Sequence, residues 1–520
     1  MAGRDSGGRR AQPFASLLGS VAGARIVGNA QAQVTGLGYD SRQVKPGSAF
    51  ICVRGEKTDG HLFIAEALEK GAVALVVERG REGGITPPPK GAIGVVPDPR
   101  LAMAPIAISF YGDPSASLTL AGVTGTNGKT TTALILDAIF RAAGFHSGVI
   151  GTVEYRISGR VLKPSHTTPE AVDLQGLLAD LVAAGATHAA MEVSSHAIAL
   201  HRVDGCQFSA AVFTNLTPEH LDFHPDMRHY LETKKRLFSD QQYFPTEKPR
   251  LNAVNVDDEA GREIARAAAG KTLTYGLDTA ADCGAEDIAL GVDGTTFTVV
   301  LPSGRARVRM RLLGRFNVYN ALAALTAAAG LGIPVEVAQQ ALETMEPVRG
   351  RFQRVPANTR QVLVDYAHTP DGLERALETA RQLTRGRVII VFGCGGDRDR
   401  SKRPVMGGIA SRMADRCLIT SDNPRSEPPL AIIEQIVGGI EPSARGRCLV
   451  EPDRATAIRI AISEAGPEDL VLIAGKGHED YQIIGTRTIH FDDREVAAEV
   501  LRGLEGLPAE ASAKEGEADG

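Results

Sequence analysis

Hydrophobic and polar positions along the 520-residue chain fall into short apolar runs of strand length, separated by stretches of helical period. In the first part, apolar runs over 49–53, 73–77 and 93–96 predict strands, and 64–70 predicts one clear helix. The Tyr-Gly-Asp-Pro tetrapeptide at 111–114 is turn chemistry and marks a boundary. A strand over 118–123 then runs into a glycine-rich turn and a helix from 130 to about 143. Strands over 189–193 and 210–216 follow, with a helix over 171–184 before them. Two more helices are predicted over 317–330 and 335–344. After Pro347-Val-Arg-Gly350, strands over 361–365, 387–392, 416–420 and 470–474 again alternate with helices.

Strands alternating with helices predict an α/β fold with parallel sheets and crossover helices. Three domains are expected: a small N-terminal α/β domain over 13–114, a central phosphate-loop ATPase domain with a mainly parallel sheet over 115–346, and a C-terminal Rossmann-like doubly wound domain over 347–505. Residues 1–12 read as a flexible leader. Residues 506–520, rich in Ala, Glu and Gly, read as a disordered, solvated tail.

Composition narrows the function by exclusion. Hydrophobic residues make up 43% and charged residues 23%, ordinary values for a globular chain. A formal net charge of -5 provides no basic field for nucleic acid. The longest apolar runs, such as 388–392, are far short of a membrane span, and residues 1–12 lack the apolar segment of a secretory signal. Six cysteines without a Cys-x-x-Cys pair argue against a zinc site or a disulfide framework. A cytoplasmic protein with reduced thiols and no membrane insertion is expected.

The chemistry starts at Gly122-Val-Thr-Gly-Thr-Asn-Gly-Lys-Thr-Thr131. A glycine turn between a strand and a helix presents free backbone N–H groups and the positive helix end to a phosphate. Gly125, Thr126, Asn127, Gly128, Lys129, Thr130 and Thr131 are therefore the expected ATP cradle. Lys129 reaches the terminal phosphates and the Thr130 hydroxyl takes Mg²⁺. The loop is a variant, because Val123 stands where the common pattern has glycine. Glu192, at the end of an apolar strand, is a hard oxygen donor suited to the same ion.

This variant loop resembles that of the Mur ligase superfamily, which also contains folylpolyglutamate synthase, and the resemblance runs from Asp40 to about Leu504. Members phosphorylate a carboxylate with ATP and let an amine displace the phosphate. The resemblance implies that Thr130 and Glu192 bind magnesium and that His220, in Thr214-Asn-Leu-Thr-Pro-Glu-His-Leu-Asp-Phe-His224, binds a second magnesium ion, with Asp222 a weaker candidate. It also implies that Lys234, in Tyr230-Leu-Glu-Thr-Lys-Lys-Arg-Leu-Phe238, is carbamylated by carbon dioxide into an anionic ligand. An amine beside magnesium ions has a lowered pKa, which favours that uptake. Asn317, Asn320, Arg351, Asp365 and His368 match family segments near the nucleotide.

The flanking domains choose the substrate. Ser41, in Asp40-Ser-Arg42, resembles the uridine-nucleotide pocket of the family's tripeptide-forming members. Thr167 and Thr168, in His166-Thr-Thr-Pro169, match contacts to the UDP-muramoyl dipeptide, as do Ser194 and Arg202. Leu200 stands where many relatives carry glutamine, so one contact lacks its polar group. Asp422-Asn-Pro-Arg425 resembles the signature of members that add meso-diaminopimelate. Arg398 and Arg425 offer planar forks for its distal carboxylate, and Asp422 and Glu479 can accept from its ammonium. Asn423, Pro424 and Gly475 complete that set. The expected activity is ATP-dependent amide formation between meso-diaminopimelate and the D-glutamate of a UDP-muramoyl dipeptide, by a monomer. L-lysine addition, a folylpolyglutamate-type ligase and a nucleotide-driven switch are the competing readings.

Overall fold

A computed structural model of the chain describes residues 11–55, 58–157, 159–244, 250–357 and 360–506. The expected leader and tail lie outside the described residues, apart from Ala11, Gln12 and Gly506. Gln12 is already in a strand, paired with Val34. Among the described residues, three large sheets carry the fold, and no helix is long and apolar enough to cross a membrane.

The first sheet has five strands in the order Arg25–Gly28, Ala92–Val96, Ala74–Glu78, Ser48–Ile51, Gly36–Gly38, parallel except at the first pairing. Its three central strands and the Ile64–Glu69 helix lie within two residues of the sequence reading, and the two outer strands, Arg25–Gly28 and Gly36–Gly38, were not predicted. A helix over Pro99–Tyr111 was not predicted. Pro105 sits inside it and seven of its residues are buried, so neither of the usual cues, an amphipathic stripe or the absence of proline, was present. This helix packs on Phe14, Leu17 and the sheet in one apolar cluster.

The central sheet orders eight strands, with Thr119–Thr124 between His188–Glu192 and Ala210–Phe213. All pairings from Ser147–Ile150 to Lys271–Tyr275 are parallel, and only Tyr155–Ile157 and Arg160–Leu162 run antiparallel at one edge. Strand interiors such as Leu120–Val123 and Ala189–Met191 are fully buried, because helices cover both faces. Lys129–Ala142 and Arg315–Gly330 lie together on one face. A three-stranded antiparallel sheet over Gly284–Gly291, Gly294–Leu301 and Gly304–Met310 also went unread, although alternate residues of its middle strand are buried.

The strand expected over 210–216 stops at Phe213. Thr214 leaves the ladder because its hydroxyl reaches the carbonyls of Thr124 (3.3 Å) and Asn127 (2.6 Å). Residues 214–216 thus become part of the phosphate loop's surroundings.

The last sheet orders Gln353–Val355, Gln361–Asp365, Leu470–Ala474, Val388–Phe392, Arg416–Ile419 and Cys448–Val450, parallel after the first pairing. Apolar clusters on its two faces make it doubly wound. Its carboxyl edge faces the phosphate loop across a cavity of about 520 Å³.

Candidate active site

The central strand order sets the site. Thr119–Thr124 feeds the loop 125–128 and the Lys129–Ala142 helix, and its neighbours end at Glu192 and Phe213. The loop therefore opens at the carboxyl edge with a carboxylate on one side and 214–220 on the other. Two glycines are obligatory here. Gly125 has φ 148° and a Cβ there would lie 1.9 Å from Thr214 Oγ1; Gly128 has φ 87° and a Cβ would lie 2.2 Å from Asn320 Oδ1. Asn127 N–H donates to Asn215 Oδ1 (2.9 Å), and Thr126 Oγ1 accepts from Thr217 N–H (3.0 Å). The loop is thus pinned to residues 215–217.

Lys129 Nζ donates to the carbonyls of Gly125 (3.0 Å) and Thr126 (2.6 Å), and Lys234 Nζ donates to that of Gly125 (2.8 Å). Lys234 comes from the Met227–Ser239 helix, is 1% exposed and lies over the Tyr230 ring at 4.5 Å. Burial holds both ammonium groups below their usual range, Lys234 far below, with Lys129 adding to the effect on Lys234. Desolvation therefore supplies a motive for a neutral Lys234 that sequence reasoning had sought only in neighbouring magnesium.

Glu192 is 1% exposed and accepts from the Thr152 N–H (2.6 Å) and hydroxyl (3.1 Å). Thr130 accepts from Arg351 (3.1 Å), whose guanidinium stacks 4.5 Å from the Tyr366 ring. His220 packs edge-on to His196 at 4.6 Å, and burial lowers its pKa. Thr130, Glu192, His220 and Lys234 all line the cavity; Asp222 is exposed. Among the described residues, no three His, Cys, Asp or Glu side chains form a metal cluster by themselves. The donor set still fits Mg²⁺, which takes one or two carboxylates and completes its shell with water and phosphate oxygens.

Sequence reasoning missed Glu219. This carboxylate is half-buried beside His220 (3.5 Å) and His368 (3.7 Å). His220, Lys129 and His368 hold its pKa low in spite of burial. Its position directly before His220 was the available signal.

Asn320 donates to Asn317 (2.9 Å), which donates to the Leu313 carbonyl (2.8 Å); Asn320 and not Asn317 lines the cavity. Asp365 accepts from the N–H groups of Phe352 (2.7 Å) and Ala367 (2.8 Å). His368 lies beside Glu219, with burial lowering its pKa to about 4. Thr131 is buried and also lines the cavity.

Thr167 and Ser194 also line the cavity. Thr168 is buried and ties the Glu192 carbonyl (2.8 Å) to Ser194 N–H (3.1 Å). Arg202 pairs with Glu170 (2.9 Å), which also pairs with Arg100 (2.6 Å). Ser41 lies outside this cavity, where its hydroxyl donates to Glu66 (2.7 Å).

The three loops of the last sheet meet at its carboxyl edge. Asn423 donates to Glu479 (2.8 Å) and accepts from Ile483 N–H (2.9 Å), and a Cβ on Gly475 would lie 2.8 Å from Asp422 Oδ2. Arg425 donates to the Gly396 carbonyl (2.8 Å), and the Pro424 carbonyl packs on Gly396. Arg398 is exposed at the rim and donates to Asp397 (3.0 Å). Glu479, expected to await an ammonium, already has one: fully buried Lys476 lies 3.0 Å away. These loops sit behind Tyr366 and do not line the main cavity.

A phosphate loop, buried lysines and carboxylates between two parallel sheets define a nucleotide-dependent ligase site. The chain belongs to the Mur ligase family: residues 123–328 match the Mur ligase middle domain, 350–477 the glutamate ligase domain and 33–110 the family's catalytic domain. It is similar to the UDP-N-acetylmuramoyl-L-alanyl-D-glutamate–2,6-diaminopimelate ligases of Syntrophomonas wolfei (46% identical, covering 91% of this chain and 95% of the relative) and Geobacter sulfurreducens (47%, 92% and 96%). A solved structure of such a ligase is 34% identical, with TM-score 0.63 and coverage of 91% and 96%. The MurF ligase of Thermotoga maritima in complex with ADP shares the fold at 19% identity, TM-score 0.63, covering 91% and 98%.

Proposed function

We propose that the protein adds meso-2,6-diaminopimelate to the γ-carboxylate of D-glutamate in UDP-N-acetylmuramoyl-L-alanyl-D-glutamate, at the expense of ATP. The convergence of Lys129 and Lys234 on the phosphate loop, within one cavity that also holds Glu192 and faces the last sheet, carries this reading. Relatives of that name, 46–47% identical over more than nine-tenths of the chain, support the choice of substrates. On this reading 13–114 receives the uridine nucleotide through Ser41, 115–346 receives ATP, and 347–505 receives the amino acid.

Loop N–H groups and Lys129 hold the triphosphate, with Asn320, Arg351 and Asp365 around it. Thr167, Thr168, Ser194 and Arg202 orient the dipeptide so that its carboxylate oxygen attacks the γ-phosphorus, giving an acyl phosphate and ADP. The amine of diaminopimelate, held by Arg398, Asp422, Asn423, Arg425, Gly475 and Glu479, then attacks the carbonyl carbon. Phosphate leaves, the amine nitrogen loses a proton, and the amide remains. Thr130, Glu192 and His220 would hold Mg²⁺, with Lys234 contributing as its carbamate. The metal would supply charge neutralisation at the phosphates. Enclosure between the sheets keeps water from the acyl phosphate.

The test is phosphate release from ATP with the UDP-muramoyl dipeptide and either diaminopimelate or L-lysine. Turnover with diaminopimelate at least about tenfold above lysine is expected from leaving the half-buried Arg425 without its carboxylate. Equal use of lysine, or hydrolysis without an acceptor, would sink the reading.

A further inference from the structure

The last sheet contains a charge pair that takes no part in the chemistry above. Arg454 opens the Arg454–Glu464 helix and Asp493 opens the Asp493–Leu504 helix, and both side chains have zero exposure. Arg454 Nε and Nη2 donate to the two Asp493 oxygens at 2.7 Å each. The two helices also supply Ala457, Ile458, Ala497 and Leu501 to the apolar cluster on this face of the sheet, and the Asp422 and Glu479 carboxylates add to the field at Arg454. Fully buried ion pairs are poor stabilisers, because desolvation offsets their attraction and apolar residues of the same volume do as well or better. The remaining donors of the guanidinium give the pair a different purpose.

Nη2 also donates to the Ala474 carbonyl (3.0 Å), and Nη1 to the Ser421 carbonyl (3.4 Å). Ala474 ends its strand immediately before Gly475, and Ser421 immediately precedes Asp422. One guanidinium thus holds the last carbonyl before each of two loops. The loops have other bonds: Gly475 N–H donates to the Asp365 carbonyl (3.1 Å), Gly396 N–H to that of Asn423 (2.9 Å), Asn423 to Glu479, and Gln482 to the Asp422 carbonyl (2.7 Å), but each of these holds one loop or joins it to a neighbouring loop. Among the described residues, Arg454 alone bonds to the starts of both, and ties them to two helix N-termini.

We propose that Arg454, fixed by Asp493, is a positioning residue that sets the spacing of the Asp422–Arg425 and Gly475–Glu479 loops and thereby the affinity for the incoming amino acid. This rests on the assignment of those loops to diaminopimelate. A planar fork with five donors can serve a carboxylate and two carbonyls together; a lysine ammonium has three donors converging on one point and cannot span both strands.

The test uses the full chain with the double substitution Arg454→Met/Asp493→Leu, which removes both charges and keeps the volume, and Arg454→Lys, which keeps the pair. Expected in both is a rise of about tenfold in KM for diaminopimelate, the scale of a displaced hydrogen-bonding group, with KM for ATP and for the UDP-muramoyl dipeptide unchanged within about twofold. An unchanged KM for diaminopimelate, or an equal rise for all three substrates, overturns the proposal. If the double variant fails to fold, Arg454→Lys decides alone by the same criteria. Failure of the unsubstituted protein to use diaminopimelate would instead remove the underlying assignment.

Discussion

Lys129 and Lys234 donate to one acceptor, the carbonyl oxygen of Gly125, at 3.0 and 2.8 Å. Two amines on one carbonyl in a buried site repel each other when both are charged, and burial already disfavours both charges. Glu219 and Glu192 offset part of that charge, and phosphate oxygens of a nucleotide would supply more. Lys129→Ala is expected to lower turnover by at least roughly 10²–10³-fold, the scale for removing a donor aimed at developing charge. Phosphate release in single turnover measures it, and a loss below tenfold would contradict the role.

Lys234→Ala removes the group proposed to become an anionic carbamate. Turnover should fall by two orders of magnitude or more on the same scale, and short carboxylates such as acetate or formate should restore part of it. Lys234→Arg, a permanent cation, should not respond to them. Equal behaviour of the two variants would mean that an anion is not what is missing.

Glu219 lies between His220 and His368. Its carboxyl pKa is held low in spite of burial, with Lys129 among the causes, so Glu219→Gln removes a counter-charge of Lys129. A fall in kcat of about 10–100-fold is expected from losing a charge-assisted contact, with little change in thermal midpoint. Wild-type kcat in Glu219→Gln would show the carboxylate to be incidental.

Arg425→Ala should weaken diaminopimelate use by about 10–100-fold, or roughly 1–3 kcal/mol, while leaving ATP binding intact. Kinetics with varied amino acid decide it. An unchanged apparent affinity would count against the contact, and Arg398→Ala, at the exposed rim, should have the smaller effect.

Glu427 provides a pH-dependent prediction. Hydrogen bonds from Arg403 and then from Asp397 N–H lower its pKa from 4.5 to about 2. A carboxylate depressed on folding contributes stability that is full above its unfolded pKa and is lost as pH falls toward the folded one. The difference in urea midpoint between wild type and Glu427→Gln should therefore be constant above pH 4.5 and vanish toward pH 2. A difference that persists at pH 2 would assign the effect to packing.

The linear sequence was sufficient for the strand, glycine turn and helix at 119–142, for the strand-end position of Glu192, and for the four inner strands of the last sheet, because burial on both faces leaves continuous apolar runs that local reading detects; its short edge strands, Gln353–Val355 and Cys448–Val450, were not predicted. Short motifs with a physical mechanism were legible for the same reason: their function lies in neighbours along the chain. The Pro99–Tyr111 helix escaped because its context, not its local cues, makes it a helix. Glu219, the Lys476 partner of Glu479, and the Arg454 clamp came only from the folded molecule, since each depends on side chains brought together from distant segments. Distances along the chain carry no charge–charge information; the strand order decides which carboxylate meets which ammonium, and that order is set by packing of the whole.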